Sequence, residues 1–245
     1  MCKHSTSRLT LTLILLLSFL PLAVTVNSQN NEIEIEGWDM SALDAKIADA
    51  VAKANATNAR AEDRLAAATI YLTRANLFYI AGRPALYKLA LGDFRRVLRF
   101  QPNNAEAQEK ADQIISIYKE MGRPVPGNGS ETDIYNDPSI HYKVKPQLIS
   151  FSDDKPSTTI SDGLPPDVAH VYEVSANIGQ RISLSITSDD DSISFAIYQE
   201  YAGKSSLIVS GNKKWSGVVL STEKYIVKVS SKKGGAAYNL KVTVR

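Results

Sequence analysis

The stretch Arg181-Ile182-Ser183-Leu184-Ser185-Ile186-Thr187 alternates polar and aliphatic side chains, and a period of two puts its three aliphatic residues on one face of an extended strand. The same period recurs in Tyr172 and Val174, in Ile193, Phe195 and Ile197, in Tyr225, Val227 and Val229, and in Tyr238, Leu240, Val242 and Val244. Each set reads as a half-buried strand. Turn-forming residues stand between them at Asn177 to Gly179, Asp189 to Asp191, Gly211-Asn212 and Gly234-Gly235. That spacing suits an antiparallel sandwich, so residues 146–245 are expected to form a β-sandwich of jelly-roll-like character.

Upstream the period changes to that of amphipathic helices. Leu43, Ile47, Ala50, Val51 and Ala54 share one face, with Asp39 or Ser41 as the cap. A second face runs through Leu65, Ala68, Leu72, Ala75 and Tyr79 to Gly82, and a third through Leu86, Leu89, Ala90, Phe94, Val97 and Leu98 to Pro102. A fourth uses Ala107, Ala111, Ile114, Ile115 and Tyr118 before Gly122 and Pro124. Four such helices joined by short turns pack as antiparallel neighbours. Residues 29–38 read as a polar lead-in. Between Arg123 and Lys145 the composition shifts to Pro124, Pro126, Gly127, Asn128, Gly129, Ser130 and Pro138, the signature of a linker. The fold class is therefore multidomain, α plus all-β: a helical module at 39–122, a linker at 123–145 and a sandwich at 146–245.

Two resemblances add to this reading. Arg74-Ala75-Asn76-Leu77-Phe78-Tyr79, Gly82, Ala90-Leu91-Gly92-Asp93-Phe94 and Pro102-Asn103-Asn104-Ala105-Glu106-Ala107 resemble a tetratricopeptide repeat and the opening helix of the next, with a three-residue insertion at Pro84, Ala85 and Leu86. Asp167 to Val174, Ala176 to Leu184, Ser192 to Tyr198, Trp215-Ser216-Gly217, Lys224 to Val229 and Ala237 to Val244 resemble the bacterial pre-peptidase C-terminal domain. Glu223-Lys224-Tyr225 departs from its usual Gly-x-Tyr turn. The first resemblance implies a peptide-binding inner face carrying Thr69, Asn76 and Tyr79. Both families host many unrelated roles.

The amino terminus carries a different signal. Lys3 and Arg8 precede an uncharged apolar run from Leu9 to Val26, which reads as a signal peptide over residues 1–28, cleaved after Ser28. An uncleaved anchor is the competing reading; Pro21 and the polar residues that follow favour cleavage. The protein is expected to be periplasmic or secreted, with no membrane attachment once processed. Loss of Lys3 and Arg8 would take the 28 basic side chains to 26, equal to the 26 acidic ones, and a neutral chain gives no electrostatic reason to expect nucleic acid. The lone Cys2 would leave with the signal, and with it any disulfide or thiolate metal site.

His141 and His170 are the histidines that remain after processing, and no nucleophile elbow, phosphate loop or zinc helix accompanies them. The expectation is no enzyme and no cofactor. Asp189 and Asp191 are a weak calcium candidate, but consecutive acids in a solvated turn cannot all face one ion. Trp215, Tyr198 and Tyr201 are a candidate sugar platform, although a strand Trp more often packs. Arg95, Arg96 and Arg99 form a candidate docking patch for an acidic partner, or complement the end of their helix. The residues expected to bind a partner are Thr69, Asn76, Tyr79, Arg95 and Arg99. The partner is expected to be a protein or peptide held by the helices, with the sandwich as a second binding or spacer module. The alternative is a glycan-binding or hydrolase-inhibiting protein acting through the sandwich, cell-wall glycan being its ligand.

Overall fold

Helix starts and stops follow local chemistry in the computed structural model, which describes residues 33–127, 142–151, 155–221 and 224–245. The expected signal peptide, most of the linker and His141 lie outside these residues. The described residues belong to one compact unit, 31–245. Its helices are α1 (Ser41–Ala54), α2 (Ala61–Ile80), α3 (Pro84–Phe100) and α4 (Ala105–Glu120). Gly82 closes α2 with a φ of 63°, a left-handed conformation that glycine adopts freely. Pro84 opens α3 at a position where its missing N–H costs nothing. The Asn104 side chain accepts from the Ala107 N–H at 2.9 Å and caps α4. At α1 the cap position is held by Met40, but Asp39 still accepts the Ser41 N–H at 2.9 Å.

Small residues let the helices approach. Ala67, Ala68, Ala75, Ala90 and Gly92 are buried where α2 meets α3, and Phe94 and Phe78 fill the space between. The core formed with Leu43, Ile47, Leu86, Val97 and Ile114 also takes in Ile35, Met40 and Val168 from outside the helices.

That continuity arises from four short strands. They are β1 (Ile33–Glu36), β2 (Trp38–Asp39), β3 (Tyr142–Lys145) and β4 (Gln147–Leu148). β1 pairs in parallel with β3, Ile35 opposite Val144, so the end of the stretch read as a polar lead-in is ordered against the end of the stretch read as a linker. Ile35 is buried, and Ile33 and Tyr142 pack on the same helical core. Four residues of alternation cannot declare a strand whose partner lies so far along the chain.

The sandwich comprises β5 (Ser157–Leu164), β6 (Ala169–Ser175), β7 (Arg181–Thr187), β8 (Ile193–Tyr201), β9 (Lys204–Asn212), β10 (Lys214–Val218), β11 (Lys224–Ser231) and β12 (Ala236–Val244). One sheet runs β10-β7-β12-β5 and the other β2-β6-β11-β8-β9, with β4 also pairing β6. The five alternating sets seen in the sequence are the inner faces: Ile182, Leu184, Ile186, Leu240 and Val242 of one sheet meet Val174, Ile193, Phe195, Ile197, Val227 and Val229 of the other. Gly235 is held by packing: a side chain there would come within 2.3 Å of the Leu164 carbonyl. The β8–β9 hairpin turns on Ala202 and Gly203, both with positive φ, as a two-residue turn between twisted strands requires.

Candidate functional site

The residues expected to bind a partner fall in two places. Asn76 and Tyr79 project from α2 toward α4. Asn76 Nδ2 donates to Glu106 Oε1 at 3.0 Å, and Lys110 Nζ donates to Asn76 Oδ1 at 2.8 Å. The Tyr79 hydroxyl donates to Gln113 Oε1 at 2.6 Å, while Lys110 lies 5.8 Å over its ring. Thr69, about two turns before Asn76 on α2, donates back to the Leu65 carbonyl. Arg95 donates to the Pro126 carbonyl at 2.6 Å, tying α3 to the chain after α4, and Arg99 lies over the Phe100 ring next to it.

The acidic turn is likewise engaged. Lys213 Nζ lies 2.6 Å from Asp191 Oδ1, and Asp190 accepts the Ser192 N–H. Among the described residues, no group of three His, Cys, Asp or Glu could hold a metal ion. The aromatic platform is divided: Tyr198 stands on the outer face of β8, Tyr201 is exposed at its end, and Trp215 packs toward the sandwich core from β10 on the other sheet.

A groove of about 840 Å³ opens on the outer face of the β6-β11-β8 sheet. Its floor includes Val171, Ile226 and Tyr198, and Glu34 and Lys143 to Pro146 form one wall. Strand register explains the floor. Leu148 stands opposite Glu173, Glu173 opposite Ile226, Ile226 opposite Tyr198 and Tyr198 opposite Leu207. Directly paired residues share a face, so these five side chains make one row across five strands, spanning about 19 Å at the usual strand spacing. Leu148 and Leu207 are each 57% exposed.

Charge borders the row. Lys224 lies 3.0 Å from Glu173, and Lys228 lies 2.6 Å from Asp39. Burial works to raise the Asp39 carboxyl, but Lys228 and the Ser41 donors hold it below its ordinary value. Lys143 and Glu200 also line the groove. Alternation identifies which residues of β8 and β11 face outward; the row itself depends on pairings between distant strands, which the sequence does not display.

Two buried polar clusters flank this region. Arg74 makes a two-point contact with Asp93, Nε to Oδ2 at 2.7 Å and Nη2 to Oδ1 at 2.9 Å, and reaches Asp44 at 2.7 Å. Arg96 adds a 2.8 Å contact to Asp93, and the Tyr142 hydroxyl donates to Asp44. This network ties α1, α2 and α3 to β3, and so to the groove wall. Burial raises the Asp44 carboxyl above its ordinary value despite Arg74. In the sandwich, His170 is 2% exposed and shares a 2.7 Å hydrogen bond with the Tyr238 hydroxyl, which is bonded in turn to Tyr172.

No protein-family profile matches this chain, and no curated protein matches it. Similar solved structures include PliG, a periplasmic inhibitor of g-type lysozyme, from Aeromonas hydrophila, at 18% identity over 42% of this chain and 98% of that one, with a TM-score of 0.36. The PliG of Salmonella Typhimurium gives 19% identity over 41% and 98%, with a TM-score of 0.31. The pre-peptidase C-terminal domain of a Bacillus anthracis collagenase gives 14% identity over 41% and 95%, with a TM-score of 0.30. At such scores these likenesses carry no functional argument. No helix among the described residues is long and apolar enough to cross a membrane.

Proposed function

We propose that this chain is an extracytoplasmic, non-catalytic protein-binding protein whose partner docks on the outer sheet face, while the tetratricopeptide-like helices hold the groove wall in place. The observation that carries the reading is the row Leu148–Glu173–Ile226–Tyr198–Leu207, four apolar or aromatic side chains with the paired Glu173 among them, exposed at both ends and flanked by further charge. Apolar and aromatic residues at the centre with charges at the rim are the anatomy of a protein interface. Aliphatic ends suit a protein surface better than a sugar, which stacks on flat rings, and among the described residues Tyr198 is the single aromatic one lining the groove. The partner is a protein segment with an apolar ridge, carrying an acidic group toward Lys143 and a basic group toward Glu200.

This reading shares the sandwich with the alternative expected from sequence, a glycan-binding or hydrolase-inhibiting protein, and takes a protein rather than a glycan as the ligand. The helix-borne reading draws less support, because Asn76 and Tyr79 already satisfy their polar atoms against α4. Secretion is supported by the charged start and apolar run of residues 3–26.

Parallel captures from a native envelope fraction test the reading, with wild-type protein, Tyr198→Asp and Asn76→Ala as baits. A protein retained by wild type and Asn76→Ala but lost from Tyr198→Asp supports it. Retention by Tyr198→Asp together with loss from Asn76→Ala moves the function to the helices. A purified g-type lysozyme is a defined probe to run alongside.

A further inference from the structure

The His170 imidazole is closed from solvent, and its Nε2 finds no hydrogen-bond partner among the described residues. Its surroundings come from five strands. Trp38 of β2 stacks parallel to it with centroids 6.3 Å apart, and is also its direct cross-strand partner. Tyr172 of β6 and Tyr238 of β12 meet it edge-on, and Asp162 of β5 places Oδ2 at 3.3 Å from Nδ1. Its partner on β11 is Val229. The titratable groups facing it are therefore Asp162, Tyr172 and Tyr238. The nearby pairs Asp39–Lys228 and Lys46–Asp167 are satisfied by each other.

We propose that His170 is a pH-sensitive latch, protonation of its imidazole releasing strand β2 from the edge of β6. A protonated imidazole has two N–H donors. Nδ1 has Tyr238 and Asp162 within reach, but a proton on Nε2 meets no acceptor among the described residues, and a buried unpaired donor on a cation must reach water. The seal yields where it is weakest. β2 contributes two register pairs, Trp38 with His170 and Asp39 with Ala169, whereas β11 holds the other edge of β6 through six. The helices stay anchored by Lys46–Asp167 and by Val168 in their core. Release of β2 carries Asp39 away from Lys228 and frees a cation in the groove. That last consequence rests on the groove being the binding surface; the release itself does not.

Burial holds the imidazole below its ordinary value of 6.5, and Asp162 opposes this in part. The open state therefore gains its proton first, and opening begins as pH falls below about 6.5.

Trp38 and Trp215 are the only tryptophans in the sequence, so Trp215→Phe leaves Trp38 as sole reporter. Its emission is titrated downward from about pH 8, and amide exchange of Gly37 and Val171, corrected for intrinsic rates, is read at about pH 7.5 and pH 5. The latch predicts an emission step with a midpoint below about 6.5, and exchange at Val171 about tenfold faster at the lower pH while Val227 stays protected. His170→Gln removes the step. An absent step, the same step in His170→Gln, or simultaneous loss of protection at Val227 each overturns the proposal. None of these readouts involves a partner, so the latch and the groove fail separately.

Discussion

The helical region and the sandwich are held together by different means. The helices close around charge: Asp93 is 1% exposed and takes bonds from Arg74 and Arg96, while Arg74 also reaches Asp44. The sandwich closes around aliphatic layers, and His170 is its buried ionisable residue of the kind that must stay uncharged. Buried ion pairs demand one geometry, because either partner left alone is a charge in a poor dielectric. Aliphatic layers tolerate exchange of similar volumes. The helical region therefore fixes where β1 and β3 stand, and the sandwich presents a broad face on which outward residues are free to serve binding.

The largest break in this contrast is expected from Arg74→Ala. It strips Asp93 of its two-point partner and should cost about 3–5 kcal/mol in urea unfolding followed by helical circular dichroism. Combining Arg74→Met with Asp93→Leu sharpens the comparison: apolar replacement of the whole pair should recover most of that loss. Recovery no better than the single variant would mean that the charges do more than balance each other.

In the sandwich, Leu240→Ala should cost about 2–5 kcal/mol, by lost burial plus the cavity left behind, with the strand signal as readout. Next comes pH. Because folding lowers the affinity of His170 for its proton, stability at neutral pH is retained above about 6.5 and declines as pH falls below it. Denaturant midpoints of His170→Gln should vary less across that window than those of wild type. The smallest effect is expected at Leu207→Ser on the exposed edge, within about 0.5 kcal/mol, while partner binding weakens.

Alternation exposed the inner faces of β6, β7, β8, β11 and β12; β7, β8 and β12 bury one face and leave the other more open, whereas β6 and β11 also bury Val171 and Ile226 on the outer face. The helices were legible through their apolar faces and through Gly82 at the end of α2; Pro84, Ala85 and Leu86, read as an insertion in the turn, form the first turn of α3, and the cap at Asn104 was not read. β9 was hidden for a physical reason: an edge strand exposed on both sides, with Leu207, Ile208 and Val209 in succession, shows no period. β1 to β4 are too short to carry one.

The candidate site was legible only in fragments. Tyr198 was singled out for its aromatic ring, but with Trp215, which belongs to the other sheet. Asn76 and Tyr79 do share a face, and α4 supplies their partners. Leu148 and Leu207 carried no local signal, because what joins them is a register running through three strands between them.

The most direct test of the groove is a hydroxyl-radical footprint of the chain, read residue by residue with and without a native envelope fraction. Binding on the outer sheet face predicts protection of Tyr198, Leu148 and Leu207, with Tyr79 and Leu65 labelled as in the free chain. Protection at Tyr79 and Leu65, with Tyr198 and Leu207 labelled as freely as before, would contradict it and return the binding surface to the helices.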